Sequence, residues 1–161
     1  MADQKTHVIW ALVLGVAYWA LFAPEISLFA GVLLVAGIVL GSANGECRGE
    51  GFSLSPDLDK YVEKNTKFLG HRSWLLHSPI MPIVLIQAVN VFFGPVETSN
   101  SLFLALVWGI VFGWLLHVII DMEYPEEWRE GKEVGWISGG TSLALLVYLL
   151  FVNPFWLTGL L

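Results

Sequence analysis

The chain has 161 residues, of which 56% are hydrophobic and only 14% are charged, and its mean hydropathy is +0.69. A typical soluble domain carries about 25% charged residues, so the composition excludes an ordinary soluble globular domain. The formal net charge of −6 comes with no basic stripe suited to a phosphate backbone, which argues against charge-driven binding of nucleic acid. The single cysteine, Cys47, excludes an internal disulfide.

Apolar blocks in the sequence predict five transmembrane helices, because a block of about 18 or more apolar residues with almost no charge reaches across a bilayer. We expect spans at about residues 8–23, 26–43, 74–93, 101–120 and 136–152. The first block runs to Pro24 without a convincing small-residue cleavage site, so we interpret it as a span rather than a removed signal peptide. The predicted fold is an all-α bundle in a single membrane domain over residues 1–161.

Two polar segments, residues 44–73 and 121–135, connect predicted spans and hold most of the charged residues. With five spans, both segments share one face of the membrane with the N-terminus. All eight basic residues fall on that face: Lys5, Arg48, Lys60, Lys64, Lys67, Arg72, Arg129 and Lys132. The positive-inside rule makes that face cytoplasmic. We therefore expect a multi-pass protein of the cell (inner or plasma) membrane with a cytoplasmic N-terminus.

All four histidines map to this cytoplasmic face. His7 immediately precedes the first span, and His117 lies one turn before the end of the fourth. His71 and His77 flank the start of the third. Taken singly, each is explained more simply as a residue of the membrane interface. Membrane insertion does not require them all at one depth, however, and ionisable residues within spans are costly and usually functional.

Three aspartates map to the same depth. Asp121 follows His117 by four residues, which puts both on one stripe of the fourth span. Asp57 and Asp59 alternate in the sequence SPDLDK, and alternate residues of an extended segment point the same way. The simpler alternatives are a hydrogen-bonded helix-end pair for the first two residues and turn or cap residues for the other two.

These seven side chains on one face predict a metal centre. Neutral imidazole and carboxylate suit zinc, manganese or iron, and seven ligands exceed what one tetrahedral ion takes. We expect one to three divalent ions, with zinc the first expectation, since paired ions activate water and hold both oxygens of a displacement at phosphorus. Arg72, next to His71, is suited to hold a phosphate bidentately, although a positive-inside anchor explains it equally well.

The ordered set of His7, PDLD, GHRSWLLHS and GWLLHVIID resembles the YdjM-like family of predicted membrane-bound metal-dependent hydrolases. HRSWLLHSPI also resembles a related family described only as uncharacterised metal-binding membrane proteins. Both are distantly similar to zinc-dependent phospholipase C and the fungal zinc nucleases, which are all-helical enzymes that cut phosphoesters. The resemblance implies a metal set of His7, Asp57, Asp59, His71, His77, His117 and Asp121, with Arg72 at the family's arginine position. The chain departs from the usual pattern at Lys60 and Leu76, where members usually have His and Thr.

The leading functional hypothesis is a metal-dependent hydrolase of a phosphoester, such as a lipid head group, at the cytoplasmic interface. Asp59 is the candidate base and Arg72 the candidate phosphate-binding group. A hypothesis from a different class is a non-catalytic metal-binding membrane protein that senses or stores an ion or scaffolds partners. A transporter is disfavoured, because transporter sites lie near the membrane midplane. The partners we expect are the lipid bilayer and a phosphoester substrate.

Two structural consequences follow from a shared metal centre. His71 and His77 are six residues apart, which separates them by about 120° on a continuous helix. The third helix must therefore start after His71 or be distorted near Pro79. In addition, His117 and Asp121 must face the bundle interior, where Gly113 one turn earlier leaves space for a neighbouring helix.

Overall fold

A computed structural model describes residues 4–22, 26–42, 55–56, 58, 62–63, 73–93, 101–124, 128 and 131–152. Within these ranges the chain is all-helical, which confirms the predicted class. The helices are α1 (Gln4–Phe22), α2 (Leu28–Ser42), α3 (Ile80–Phe93), α4 (Ser101–Asp121) and α5 (Lys132–Val147), and a π-helical turn (Tyr148–Val152) continues α5.

The third helix begins six residues later than the predicted span at 74–93. The hydroxyl oxygen of Ser78 accepts a hydrogen bond from the backbone N–H of Ile80 (3.3 Å), as a capping side chain does at a helix start. Pro79 directly precedes the helix, where its fixed φ favours a helix start and its missing N–H costs nothing. Residues 74–79 form turns, so the prediction that the helix starts after His71 is confirmed.

The last helix begins earlier than predicted. α5 starts at Lys132, inside the polar segment predicted for residues 121–135, rather than at residue 136. Gly131 precedes it with a φ of 107°, a left-handed conformation that glycine adopts without strain. Glu133 lies in the first turn, where a negative charge favours the helix dipole. The charged start of this segment therefore belongs to the helix.

The tightest helix pair in the described structure is α2 against α4, and glycines make its close approach possible. A Cβ added at Gly37 or Gly41 would collide with the backbone of α4, at the carbonyl oxygens of Leu106 and Ile110. A Cβ at Gly113 would meet the carbonyl oxygen of Ile38 on α2. Glycines four apart on facing helices are a common contact in membrane bundles. This contact fixes the end of α2 beside the last turns of α4.

α4 is the central helix, and most of its side chains are buried. Its apolar residues form the main core with those of α1, α2 and the π-helical turn after α5, in a cluster that includes Ala11, Leu34, Leu104, Leu115 and Leu149. A second, smaller cluster lies near its C-terminal end and contains Leu76, Trp114, Val118 and Trp128. The second cluster surrounds the turn before α3.

Two helical stretches are long and apolar enough to cross a membrane, Leu102–Asp121 and Lys132–Phe151. The apolar helices Lys5–Leu21, Leu28–Ser42 and Ile80–Val89 are shorter. The outer faces of the bundle are apolar too: Phe29 is 75% exposed and Phe92 is 80% exposed. The described helices therefore support a membrane protein, while the count of five spans stays a prediction.

Candidate metal centre

The carboxylate of Asp121 lies among three imidazole rings at one end of the bundle. Its Oδ1 is 3.5 Å from Nε2 of His7, and its Oδ2 is 3.3 Å from Nε2 of His117 and 3.7 Å from Nε2 of His77. α1 contributes the first histidine at its start, the turn before α3 contributes His77, and the last turns of α4 contribute the other two residues. Four side chains that lie up to 114 residues apart in the sequence therefore meet at one centre.

The centre is closed to solvent. His7, His77 and His117 have no exposed surface, and Asp121 is 2% exposed. A carboxylate removed from water is costly unless a positive charge or several hydrogen-bond donors compensate it. The prediction that His117 and Asp121 face the bundle interior is confirmed. Gly113 admits α2 one turn earlier, as the prediction required.

The tautomer of His117 follows from its contact with α2. Its Nδ1 lies 3.0 Å from the backbone carbonyl oxygen of Ser42, and a carbonyl oxygen only accepts hydrogen bonds. Nδ1–H is therefore the donor, and in the neutral ring Nε2 carries a lone pair. That lone pair faces Oδ2 of Asp121 at 3.3 Å. Two acceptors at this distance repel each other unless a proton or a cation lies between them.

The stacking of His7 on His117 bears on whether a proton or a metal cation lies between His117 and Asp121. The ring centroids are 4.2 Å apart and the planes differ by 17°. Two protonated rings in this arrangement would repel each other in a region of low dielectric constant. The described residues of the centre include one carboxylate, which balances a single positive charge and does not compensate three imidazolium ions. Neutral imidazole is the form that binds metal ions.

The nitrogen–oxygen distances in the centre are longer than those of typical hydrogen bonds and close to the spacing of ligand atoms around an ion. An N–H···O hydrogen bond has a donor–acceptor distance of about 2.7–3.2 Å, shorter than the three nitrogen–oxygen separations here. Ligand bonds of about 2.0–2.1 Å in a tetrahedral zinc site place neighbouring ligand atoms roughly 3.3–3.4 Å apart. One ligand atom from each of His7, His117 and Asp121 lies within 4.8 Å of the other two. These three residues could therefore hold a metal ion.

His77 is held at the edge of the centre by two tryptophans. The indole Nε1–H of Trp114 donates a hydrogen bond to the carbonyl oxygen of Leu76 (2.7 Å), the residue directly before His77. The backbone N–H of His77 donates to the carbonyl oxygen of Ser73 (3.0 Å), which closes the turn. The ring of Trp128 meets the His77 ring edge-on, with centroids 5.6 Å apart. α4 thus supplies two residues of the centre and also fixes the turn that carries a third.

Four other residues predicted for the site, Asp57, Asp59, His71 and Arg72, lie outside the described residues. Leu58 lies between Asp57 and Asp59 in the sequence and is described. It packs against the small cluster that contains Leu76 and Trp114, which borders the metal centre. Its backbone N–H donates to the carbonyl oxygen of Ser55 at 3.0 Å, in a turn.

Sequence reasoning missed three residues that organise the centre. Trp114 and Trp128, which carry no metal-ligating group, are buried against the His77 turn. The spacing of Trp114, His117 and Asp121 by three and four residues places them on one face of α4, and this signal was available in the sequence. The carbonyl of Ser42 carried no sequence signal, because a backbone group becomes a partner only once α2 and α4 are packed together.

Comparison with known proteins supplies the family. The sequence model of the family described as "YdjM inner membrane protein" matches residues 1–129, a range that includes His7, His77, His117 and Asp121. No curated protein and no solved structure matches the chain significantly. The resemblance drawn from the sequence motifs is confirmed, and the chain belongs to the YdjM inner membrane protein family.

Proposed function

We propose that this protein is a membrane-embedded, metal-dependent hydrolase of a phosphoester such as a lipid head group. The observation that carries the proposal is the arrangement of three imidazole Nε2 atoms 3.3–3.7 Å from one buried carboxylate. Few structural roles require three histidines and an aspartate buried together, and ionisable groups buried in this way cluster at functional sites. The family's membrane location agrees with a lipid substrate.

The proposed topology has five spans, with the N-terminus and both polar segments in the cytoplasm. Its support is the one-sided distribution of Lys and Arg and the apolar outer faces of the helices. The start of α1, the end of α2, the start of α3 and the end of α4 meet at the centre, as alternating spans require. This topology puts the centre at the depth of the cytoplasmic lipid head groups.

In this proposal His7, His117 and Asp121 hold a divalent ion, and His77 completes or borders the set. Zinc suits this set of nitrogen and oxygen ligands, and manganese and iron are the alternatives. When bound, such an ion supplies Lewis acidity and an activated water. The Ser42 carbonyl orients the His117 ring, as partners of ligating histidines usually do, and this raises the basicity of Nε2.

The polar segment supplies the remaining proposed residues. Asp57, Asp59 and His71 would add ligands for a second or third ion, with Asp59 as a candidate base. Arg72 would bind a phosphate oxygen pair through its planar guanidinium. These assignments are supported by the sequence pattern and by the family resemblance.

A second candidate function is a non-catalytic metal-binding protein that senses or stores an ion or scaffolds partners. The complete burial of the three histidines favours it, because closed sites with four protein ligands are typical of structural metals, whereas catalytic sites keep a position open for water. The two candidates differ in whether substrate reaches the ion.

One experiment separates them. Detergent-purified protein is loaded with Zn²⁺, Mn²⁺ or Fe²⁺ and assayed against phospholipids, a water-soluble phosphodiester and a phosphomonoester, before and after chelation. The hydrolase proposal predicts turnover of at least one phosphoester that chelation removes and metal restores. Stoichiometric metal without turnover of any substrate would instead support the binding protein.

A further inference from the structure

A cleft of about 400 Å³ separates α3 from α5 at the end of the bundle that carries the metal centre. One wall comes from the start of α3 and the turn before it, and the other comes from the first turns of α5. Its lining includes Trp74, Ser78 and Ile80 on one side and Val134, Ile137 and Thr141 on the other. Among the described residues, α3 and α5 each pack against α4 but make no extended contact with each other.

The cleft shares a wall with the metal centre. Ser78, which lines the cleft, directly follows His77. Val134, on the other wall, packs against the small cluster formed by Leu76, Trp114, Val118 and Trp128. Trp128 in turn contacts the His77 ring. A molecule in the cleft is therefore one layer of side chains away from His77.

The chemistry of the cleft suits a hydrocarbon chain. Most of its lining is apolar, and two of its three hydroxyls, those of Ser78 and Thr141, are engaged in local hydrogen bonds, which leaves the hydroxyl of Ser138. The Thr141 hydroxyl donates to the carbonyl oxygen of Ile137 at 2.7 Å, within its own helix. The Ser78 hydroxyl lies between the carbonyl oxygen of Leu75 and the N–H of Ile80. Few polar groups are left to recognise a sugar, a nucleotide or a peptide.

The cleft opens sideways, toward the surface that faces lipid in the proposed topology. Its rim residues Trp74, Ile80 and Ile137 are 47%, 41% and 65% exposed. Thr141 lies nine residues beyond Lys132, about 14 Å along α5 from its start. The cleft therefore runs from head-group depth into the hydrocarbon layer, which is the path of an acyl chain below its head group.

We propose that this α3–α5 cleft binds an acyl chain of a membrane phospholipid whose phosphate lies at the His/Asp centre. The inference rests on the proposed phosphoester hydrolase and narrows its substrate to a phospholipid that enters laterally from the bilayer. A second apolar cleft, about 300 Å³ and lined by Leu14, Tyr18 and Leu146, starts two helical turns from His7. It shares no residue with the turn that carries His77, so it is the weaker place for the substrate chain.

The test uses the full-length protein in vesicles of phosphatidylethanolamine and phosphatidylglycerol that contain a trace of phospholipid with a photoactivatable acyl chain. The test variant is Thr141→Phe, which fills the cleft, with Thr141→Leu as a smaller filling variant. The matched control is Gly140→Phe on the same helix, since a Cβ at Gly140 meets nothing within 4 Å. Covalent adducts between the photoactivated acyl chain and the protein are located by mass spectrometry. Bound metal is measured for each variant.

Wild-type protein should form adducts on the Trp74–Ile80 turn and on residues 134–141. Thr141→Phe should reduce them about tenfold, because displacing two methylenes from an apolar cleft weakens binding by roughly that factor. Thr141→Leu should give a smaller reduction, and Gly140→Phe should match wild type. Adducts confined to other surfaces, including the Tyr18 cleft, or adducts undiminished in Thr141→Phe, would overturn the proposal.

Hydrolysis gives a second readout and keeps the two proposals distinguishable. Thr141→Phe should lower turnover of a long-chain phospholipid about tenfold and leave turnover of a water-soluble phosphodiester unchanged, since only the former uses the cleft. Equal losses on both substrates would contradict the cleft. If no phosphoester is hydrolysed by any form, the proposed function fails, while the adduct pattern still decides whether the cleft binds lipid.

Discussion

Nε2 of His117 lies 3.3 Å from Oδ2 of Asp121, one turn later on α4, while Nδ1 of the same ring is committed to the backbone carbonyl of Ser42 on α2. This relationship links helix packing to the chemistry of the centre. The contact with α2 fixes the tautomer of His117. In this tautomer the lone pair of Nε2 faces the carboxylate of Asp121. In the proposed metal centre, a cation between the two groups resolves this repulsion and compensates the buried carboxylate.

The glycine contact between α2 and α4 should therefore control the centre from a distance. Gly113→Ala places a methyl group against the carbonyl of Ile38 and forces the helices apart, which should cost about 1–3 kcal/mol of stability. It should also weaken metal binding, because the His117–Ser42 contact lengthens. Thermal unfolding in detergent and bound metal are the measurements. Gly140→Ala is the control, and it should be neutral or raise stability by up to about 1 kcal/mol through helix propensity.

Trp114 should act as a positioning residue for His77. Trp114→Phe keeps most of the buried ring and removes the hydrogen bond to the Leu76 carbonyl, at a cost of about 1–3 kcal/mol for the unsatisfied oxygen. If His77 is a ligand, metal affinity should fall roughly 10–100-fold, the usual effect of losing an outer-shell partner. Competition with a chromophoric chelator measures this. Trp136→Phe, at an exposed position on α5, should leave affinity unchanged, and an equal loss in both variants would contradict a specific role for Trp114.

The topology is testable with cysteine labelling from outside the cell. In a Cys47→Ser background, Glu97→Cys should react with a membrane-impermeant maleimide and Glu63→Cys should not. The reason is that all eight basic residues fall on the face predicted to be cytoplasmic. Permeabilised cells provide the control, since both positions should then be labelled. Labelling of position 63 but not 97 in intact cells would invert the proposed orientation.

The sequence predicted contacts between residues that are close in the chain better than contacts between different helices. The four-residue spacing of His117 and Asp121 is local, so the shared helical face was predictable. The convergence of His7 and His77 with these two residues was predictable too, because the alternation of predicted spans places all four residues at one face of the membrane. The third helix starts later than the predicted span because the apolar residues 74–76 extend the hydrophobic block, although Ser78 and Pro79 form a recognisable signal for a helix start.

Other features depend on which helices pack together, and no local pattern encodes that choice. Gly37, Gly41, Gly109 and Gly113 show the four-residue spacing in the sequence, but only the folded bundle pairs the first two with the last two. The packing of α2 against α4 also creates the contact between the His117 ring and the carbonyl oxygen of Ser42. The start of α5 at Lys132 was missed because charged residues were assigned to a connecting segment, whereas Glu133 is favoured in a first helical turn.

The central claim is that Asp121 and His117 are metal ligands rather than a hydrogen-bonded pair at a helix end. The most direct measurement is the metal content, by mass spectrometry, of purified wild-type protein, His117→Ala, Asp121→Asn and the control Glu123→Gln, whose side chain is exposed. We predict stoichiometric metal in wild type and control and strongly reduced metal in the other two, with expression and membrane insertion nearly intact. Unchanged metal stoichiometry in both His117→Ala and Asp121→Asn would contradict the account and leave the pair as a hydrogen-bonded helix end.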